Sequence, residues 1–448
     1  MNRPVASKTT GMAGAAFGLR RTSRCWSLAM LLSAGLAVAA YGAEPLGSSL
    51  NLDQLVTTAQ RDNKDLRVAR YAVQLARARL VQAGALPNPR INASGSSDFA
   101  FNNDGAYNAS FGISQDFPVA GRILRQKEVA AVDIELAQAE IEDAERRLAG
   151  EVAANVYRVL VVDRQMLARE TLSAVDERLA KATRSRFKAA EVSELDVNAV
   201  ALDLQKLAQE RALLETQRKA LLQALNRQLG RAPDAGLSII EPLPAVDALP
   251  PLEAEVSKAL SLRPDLRQVQ LQVDRAQAEI ALAKAKRWED WSVGVGIQQD
   301  RQVIDGGQAQ GNDRALSFNL TIPLSLKNRS RGLLAEAEAA ADQSRARAEA
   351  LKFEINGEVA AAHAEAASLQ SLLKTYDDGL LPVARRNVGL AEKGYGQGLV
   401  SVVEVVQAQR QQAELNNAQL AALDQYLQAL ARLRTAVGDY TLLTESTP

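Results

Sequence analysis

One histidine and one cysteine among 448 residues leave almost no metal-ligating or thiol chemistry. The cysteine, Cys25, lies in a stretch expected to be cut away, so the mature chain would have no disulfide, thiol nucleophile or cysteine metal site. The histidine, His363, has no cysteine partner and no second histidine at i+3 or i+4, which argues against a metal site. Asp305-Gly306-Gly307 falls in an expected hairpin loop rather than between a strand and a helix, so it is no phosphate cradle. With no nucleophile–base pair and no nucleotide or proton-relay motif, the chain reads as a non-enzyme that needs no cofactor. Beyond the N-terminal region no apolar run is long enough for a transmembrane helix, so any membrane contact would be made by strands.

Acid is missing from residues 1–39, which carry Arg3, Lys8, Arg20, Arg21 and Arg24. The apolar run Ser27 to Ala40 ends in Ala37-Val38-Ala39, the small-x-small pattern of an export signal, with cleavage expected near Ala39 to Ala43. Met12 is an alternative start. Thr22-Ser23-Arg24 ahead of Cys25 lack the small apolar residues of a lipoprotein signal, so no lipid anchor is expected. The full chain has 53 basic and 53 acidic groups; removing 1–39 takes five basic ones and leaves a formal charge of −5. That sign disfavours nucleic acid as a partner.

Proline is absent from Val119 to Ala232, and glycine occurs there only at 121, 150 and 230. The stretch is dense in strong helix formers, and Ile134, Ala137, Ile141, Ala144 and Leu148 step by three and four residues. Only Lys188 to Ser193 interrupts it. The pattern predicts a helical hairpin with legs of about 70 and 37 residues, roughly 105 and 55 Å at 1.5 Å per residue. Such legs belong to a bundle, a coiled coil or a tube.

The chain is written twice. Asp65-Leu66-Arg67 recurs as Asp265-Leu266-Arg267, Phe117-Pro118 as Ile322-Pro323, and Gly150-Glu151-Val152-Ala153-Ala154 as Gly357-Glu358-Val359-Ala360-Ala361. Phe187 pairs with Tyr395 and Gly230 with Gly438. The expected layout is a signal peptide over 1–39, a first repeat over 40–232, a proline-rich linker over 233–251, a second repeat over 252–438 and a tail over 439–448. Each repeat begins with one helix of about 36 residues (51–86 and 252–288), and two strands follow. The first repeat has strands near 90–101 and 107–117 and a helical hairpin over 119–230. The second has strands near 290–299 and 314–323 and a hairpin over 324–437, its long leg running 324–394.

In the strands, Ile91, Ala93, Gly95, Phe99 and Phe101 alternate with small polar residues, as do Tyr107, Ala109, Phe111 and Ile113. Asn102-Asn103-Asp104-Gly105 between them is turn chemistry. Trp291, Val293, Val295 and Ile297, then Leu316, Phe318, Leu320 and Ile322, repeat the pattern. About ten residues with one apolar and one small polar face is the signature of a membrane barrel strand. Four strands cannot close a barrel, so the chain is expected to oligomerise, a trimer supplying twelve.

These features resemble the TolC-type outer-membrane factor family. The resemblance covers essentially 50–440 and rests on the duplicated order, on Ile322-Pro323-Leu324, and on the turn running from Gly394-Tyr395-Gly396-Gln397-Gly398 to Glu404-Val405-Val406-Gln407. It implies a mainly helical protein forming a homotrimer, with a twelve-stranded β-barrel continuous with a long periplasmic α-barrel and an equatorial region built from linker and C-terminus. It also implies a location in the Gram-negative outer membrane, among its lipids, with a periplasmic adaptor and an inner-membrane RND-type pump as partners. Ala85-Leu86-Pro87-Asn88-Pro89, Ser114-Gln115 with Gly121-Arg122, and Asn328-Arg329 resemble the cobalt–zinc–cadmium branch, so the expected role is a passive exit duct favouring heavy-metal cations. A drug-efflux or type I secretion duct of the same fold, or an exported coiled-coil scaffold protein, stays open.

Asp196 and Glu404, 208 residues apart, fall just past the two helical turns, and in a trimer they would form a ring of six carboxylates. In the family this end is the gate, and Gln407 stands where a further acid is common. The alternative is that each acid simply favours a helix N-terminus. Ala190, Ser193, Gly394, Gly396, Gly398 and Ser401 are the candidate adaptor-docking surface, or plain turn chemistry. Trp288 and Trp291 are candidates for a membrane interface.

Overall fold

The computed structural model describes residues 49–100, 105–303, 311–324 and 330–439. The expected signal peptide with Cys25, the turn residues 102–104, the 305–307 loop, Asn328-Arg329 and the tail from 440 lie outside these. In the first repeat β1 (Ser49–Leu50) leads into α1 (Leu52–Asp62) and α2 (Lys64–Ala83), then β2 (Arg90–Ser97) and β3 (Tyr107–Phe117), then α3 (Arg122–Lys188) and α4 (Glu194–Gln228). At 67 residues α3 spans about 100 Å.

The first helix of each repeat is broken once, where a single helix of about 36 residues was expected. Asn63 accepts from the N–H groups of Asp65 and Leu66, capping α2, while its Nδ2 donates to Gln228 O at 2.8 Å. In the second repeat the break falls at Arg263, between α5 (Leu252–Leu262) and α6 (Pro264–Ala285). Pro264 has no N–H to continue the preceding helix but suits a first turn. Arg263 Nη1 donates to Ala436 O at 3.0 Å, the position equivalent to Gln228.

The second repeat continues with β5 (Trp291–Arg301), β6 (Asp313–Thr321), α7 (Arg331–Thr375), α8 (Leu381–Gly396) and α9 (Val402–Val437). Its long leg carries a π-helical turn at Tyr376–Leu380, which an unbroken helix over 324–394 did not foresee. Pro382 offers no N–H to residue 378, and the wider π turn just before it absorbs the missing bond. The linker is also more ordered than a bare spacer. Its β4 (Ser238–Ile239) pairs in parallel with β1, and Leu237, Leu243, Val246 and Leu249 pack on the core. That core gathers Tyr157, Val152 and Val156 of α3 with Leu225, Leu229 and Tyr426, all essentially buried, so both repeats close around the middle of α3.

β2, β3, β5 and β6 form one antiparallel sheet in that order. Ile91, Ile113, Val295 and Phe318 stand opposite one another across it, and Ala93, Phe111, Ile297 and Leu316 form the next row. The neighbouring rows of the other face are Asn92, Gly112, Gly296 and Ser317, then Ser94, Ser110, Gln298 and Ala315. Among the described residues no helix covers the apolar rows: Phe318 is 77% exposed and Ile91 70%. Among the described residues β2 and β6 each pair on one side only. No helix of the described residues is long and apolar enough to cross a membrane.

Candidate functional site: the two helical turns and the exposed sheet

Helix α3 ends at Lys188 and α8 at Gly396, and both turns use the same hydrogen bonds. Ala190 N donates to Phe187 O and Glu191 N to Arg186 O, both at 2.9 Å. The equivalent Gly398 N donates to Tyr395 O at 3.1 Å and Leu399 N to Gly394 O at 2.8 Å. This is the paired termination that requires a left-handed residue after the cap. Gly398 adopts it at φ 72° without steric cost, whereas Ala190 holds φ 58° with a β-carbon. At Gly394 a β-carbon would lie 3.1 Å from Val400 Cγ2, so glycine here permits the close return of the turn.

Ser193 and Ser401 then cap α4 and α9. The Ser193 and Ser401 hydroxyls accept from the N–H groups of Asp196 and Glu404 at 3.3 Å. The Asp196 and Glu404 carboxylates each accept a backbone N–H from the serine at 2.9 Å. Both acids therefore sit in reciprocal capping boxes, which accounts locally for their equivalence. Ala190, Ser193, Ser401, Glu404, Gln407, Gly396 and Gly398 are exposed; Asp196 and Gly394, half-buried, are placed with them at the same end of the hairpins.

Beneath the turns lies a contact that sequence reasoning missed. Tyr395, 8% exposed, packs with Ala180, Val200, Val402 and Val405, and the Arg186 guanidinium stacks 4.2 Å from its ring centre. Arg186 Nη2 also donates to Tyr395 O at 3.3 Å. Deeper still, Asp176 of α3 is buried beside Asp203 of α4 and Arg410 of α9. Burial pushes the Asp176 carboxyl up to about 6, and the Asp203 charge adds to this against the pull of Arg410. The cue in the sequence was weak, since the residues come from three helices.

At the other end of α3, Trp291 opens β5 opposite Phe117, and Trp288 lies three residues earlier; both are exposed where helices give way to strands. Arg122 and Asp290 form an ion pair at the same junction. His363 faces the linker, with Nε2 2.8 Å from Pro250 O. Among the described residues no group of three or more His, Cys, Asp or Glu side chains is arranged to hold a metal ion.

Among proteins of known function the chain is 21% identical to the cobalt-zinc-cadmium resistance protein CzcC of Cupriavidus metallidurans, over 87% of this chain and 90% of that one. Among solved structures it is similar to CusC, a transmembrane channel, with a TM-score of 0.69 at 20% identity over 88% of this chain and 93% of that one. The outer-membrane channel OprN gives 0.68 at 20% identity, covering 86% and 89%. The outer membrane protein VceC of Vibrio cholerae gives 0.66 at 17% identity, covering 86% and 96%. These likenesses fix the fold as that of the TolC-like channels. Residues 55–231 and 256–439 match the outer membrane efflux protein family, one match in each repeat, and the chain belongs to that family.

Proposed function

We propose that the chain is the outer-membrane exit duct of a tripartite efflux system, passively conducting substrate delivered by an inner-membrane RND-type pump and a periplasmic adaptor. One observation carries this reading: a four-stranded sheet with an uncovered apolar face, a small polar reverse face and a free edge on each side. An apolar face of that kind belongs against lipid, and free edges in lipid must be paired. Three copies joined β6 to β2 close a twelve-stranded barrel, with Trp288 and Trp291 at its membrane interface. The helices then continue the pore, and Asp196 and Glu404 ring its far end with Gln407 beside them. Ala190, Ser193, Gly394, Gly396, Gly398 and Ser401 form the outward docking surface for the adaptor.

Heavy-metal cations are the favoured cargo. The short motifs before β2 and after β3, together with the similarity to CzcC, support that choice over drugs or secreted proteins. The test is membrane fractionation with boiled and unboiled gels. A heat-labile oligomer of three copies in the outer membrane is expected, whereas a soluble monomer would overturn the duct. Loss of zinc, cobalt or cadmium tolerance on deletion, with drug tolerance unchanged, is the expected sign of the cargo.

A further inference from the structure

The internal repeat supplies a template for how copies of this chain meet. Helix α6 is packed on two sides, against α3 and against α7, while its counterpart α2 is packed on α3 alone among these long helices. Helix α9 likewise lies against both α3 and α7, but its counterpart α4 has α3 on one side and no α7 on the other. The missing neighbour in each case is an α7. The chain's own α7 is already engaged with α6 and α9, on the face carrying Ala348, Leu351, Ile355 and Val359.

Three contacts of α3 show what that missing neighbour would do. Glu142 accepts from Arg267 Nη1 at 3.1 Å. Arg146 donates to Thr435 O and lies 3.9 Å from Asp265. Gly150 is so close to α9 that a β-carbon there would fall 3.1 Å from Thr435 Cβ. The matched segments Gly150 to Ala154 and Gly357 to Ala361 carry these three positions to Glu349, Phe353 and Gly357 of α7. Their targets in the first repeat become Arg67, then Asp65 with Arg227, then Arg227.

Each of the α7 residues is left without a purpose inside one chain. Phe353 is 81% exposed, and a β-carbon at Gly357 would meet nothing within 4 Å, though a mid-helix glycine costs about 1 kcal/mol relative to alanine. Glu349 is exposed, as is Arg67, and the two charges are opposite. On α2, Val68, Tyr71 and Leu75 are exposed where their counterparts Gln268, Leu271 and Arg275 lie along α6. Asp65 and Arg227 border an open pocket of about 510 Å³ floored by Leu66 and Leu148.

We infer that a second copy of this chain lays its α7 against α2 and α4 in the same register that α3 keeps against α6 and α9. Glu349 of that copy pairs with Arg67, Phe353 seats against Asp65 and Arg227 at the pocket, and Gly357 admits Arg227. The contact is head to tail, so it repeats until the ring closes. This rests on the proposed assembly of copies and adds its register and its residues.

Disulfide trapping tests it, in the full chain with Cys25→Ser. Gly357→Cys with Arg227→Cys reproduces across copies the β-carbon spacing of Gly150 and Thr435, 3.1 Å, which a small outward shift of the helices brings into the range a disulfide spans. Mild oxidation of isolated membranes is expected to give reductant-sensitive covalent dimers and trimers. The matching pair Gly150→Cys with Thr435→Cys is expected to link within one chain and produce neither. As a second measurement, Glu349→Arg is expected to lower the unboiled oligomer several-fold, and Arg67→Glu added to it to restore the oligomer. An oligomer that persists with no 357–227 link and no response to the charge changes overturns this register and leaves the duct standing. An unmodified chain that stays monomeric overturns both.

Discussion

Arg410 and Asp203, 207 residues apart in the chain, meet across the seam between the two repeats. The Arg410 Nε lies 3.0 Å from both carboxylate oxygens. The pair ties α9 to α4, which otherwise touch little, and both of its charges act on buried Asp176 of α3. Replacing Arg410 with alanine leaves two carboxylates facing one another with no counter-charge between them. A hydrogen bond to a charged group contributes about 1.5–3 kcal/mol, and half-exposure of Arg410 places this one toward the lower end. Arg410→Ala is expected to lower the thermal midpoint of helix melting, and Asp176→Asn added to it to recover part of the loss. Identical midpoints for Arg410→Ala and the parent would show the seam carries no such coupling.

Asp176 gives that seam a pH dependence of definite sign. Its carboxyl is raised in the fold from 3.8 to about 6, chiefly by burial and then by the Asp203 charge. A raised acid binds its proton more tightly folded than unfolded, so its contribution is fully present below about pH 4. It is lost as pH rises through 6. Facing it are Asp203, Lys206 and Glu210 on α4, Arg410 and Glu414 on α9, and Arg169 on its own helix. The melting midpoint measured from pH 7.5 down to 5 is expected to rise by more in the parent than in Asp176→Asn. The variant is also expected to be the more stable of the two at pH 7.5. Parallel curves would remove Asp176 from the account.

At the left-handed position the two turns differ by one methyl group, and that difference is measurable. Ala190 holds the left-handed conformation that costs a residue with a β-carbon roughly 1–2 kcal/mol, while Gly398 meets the same geometry freely. Ala190→Gly is expected to stabilise the α3–α4 turn by up to about 1 kcal/mol, the gain being offset by the greater freedom of glycine in the unfolded chain. Gly398→Ala is expected to destabilise its turn by a similar amount. Hydrogen exchange at residues 186–196 and 394–404 checks both locally, with slower exchange for the first variant and faster for the second.

Much of this arrangement was legible in the amino-acid order. Repetition, alternation and helix-forming runs are local, and they gave the duplicated helix–hairpin–helix plan, the strands and the two turns. The breaks at Asn63 and at Arg263-Pro264 were missed because periodicity runs straight through them, although Pro264 and the cap at Asn63 are both local signals. Pro382 was a comparable cue to the π turn. The Arg186–Tyr395 stack and the Asp176–Asp203–Arg410 cluster had no such cue, since Tyr395 is 209 residues from Arg186 and Arg410 is 207 from Asp203, and they meet only once the repeats are packed. The alternation of Ile91, Phe111, Val295 and Phe318 did foretell one uncovered face, because a period of two can be read without knowing the neighbours.

The capping boxes at Asp196 and Glu404 allow gate and cap to be separated. Replacing both acids with alanine would remove charge and cap together, at about 1 kcal/mol for each cap lost, so a changed channel could reflect frayed helix ends. Glu404→Gln keeps a side-chain acceptor for the Ser401 N–H, and Asp196→Asn keeps one for Ser193, while the charge is lost in each. The double variant is therefore expected to assemble and melt like the parent. In planar bilayers its cation preference is expected to fall and its single-channel conductance to change, because a ring of three copies would lose six carboxylates at one constriction. Unchanged selectivity and conductance, with the oligomer intact, would make both acids helix caps alone and move the search for the constriction to Gln407 and the residues around it.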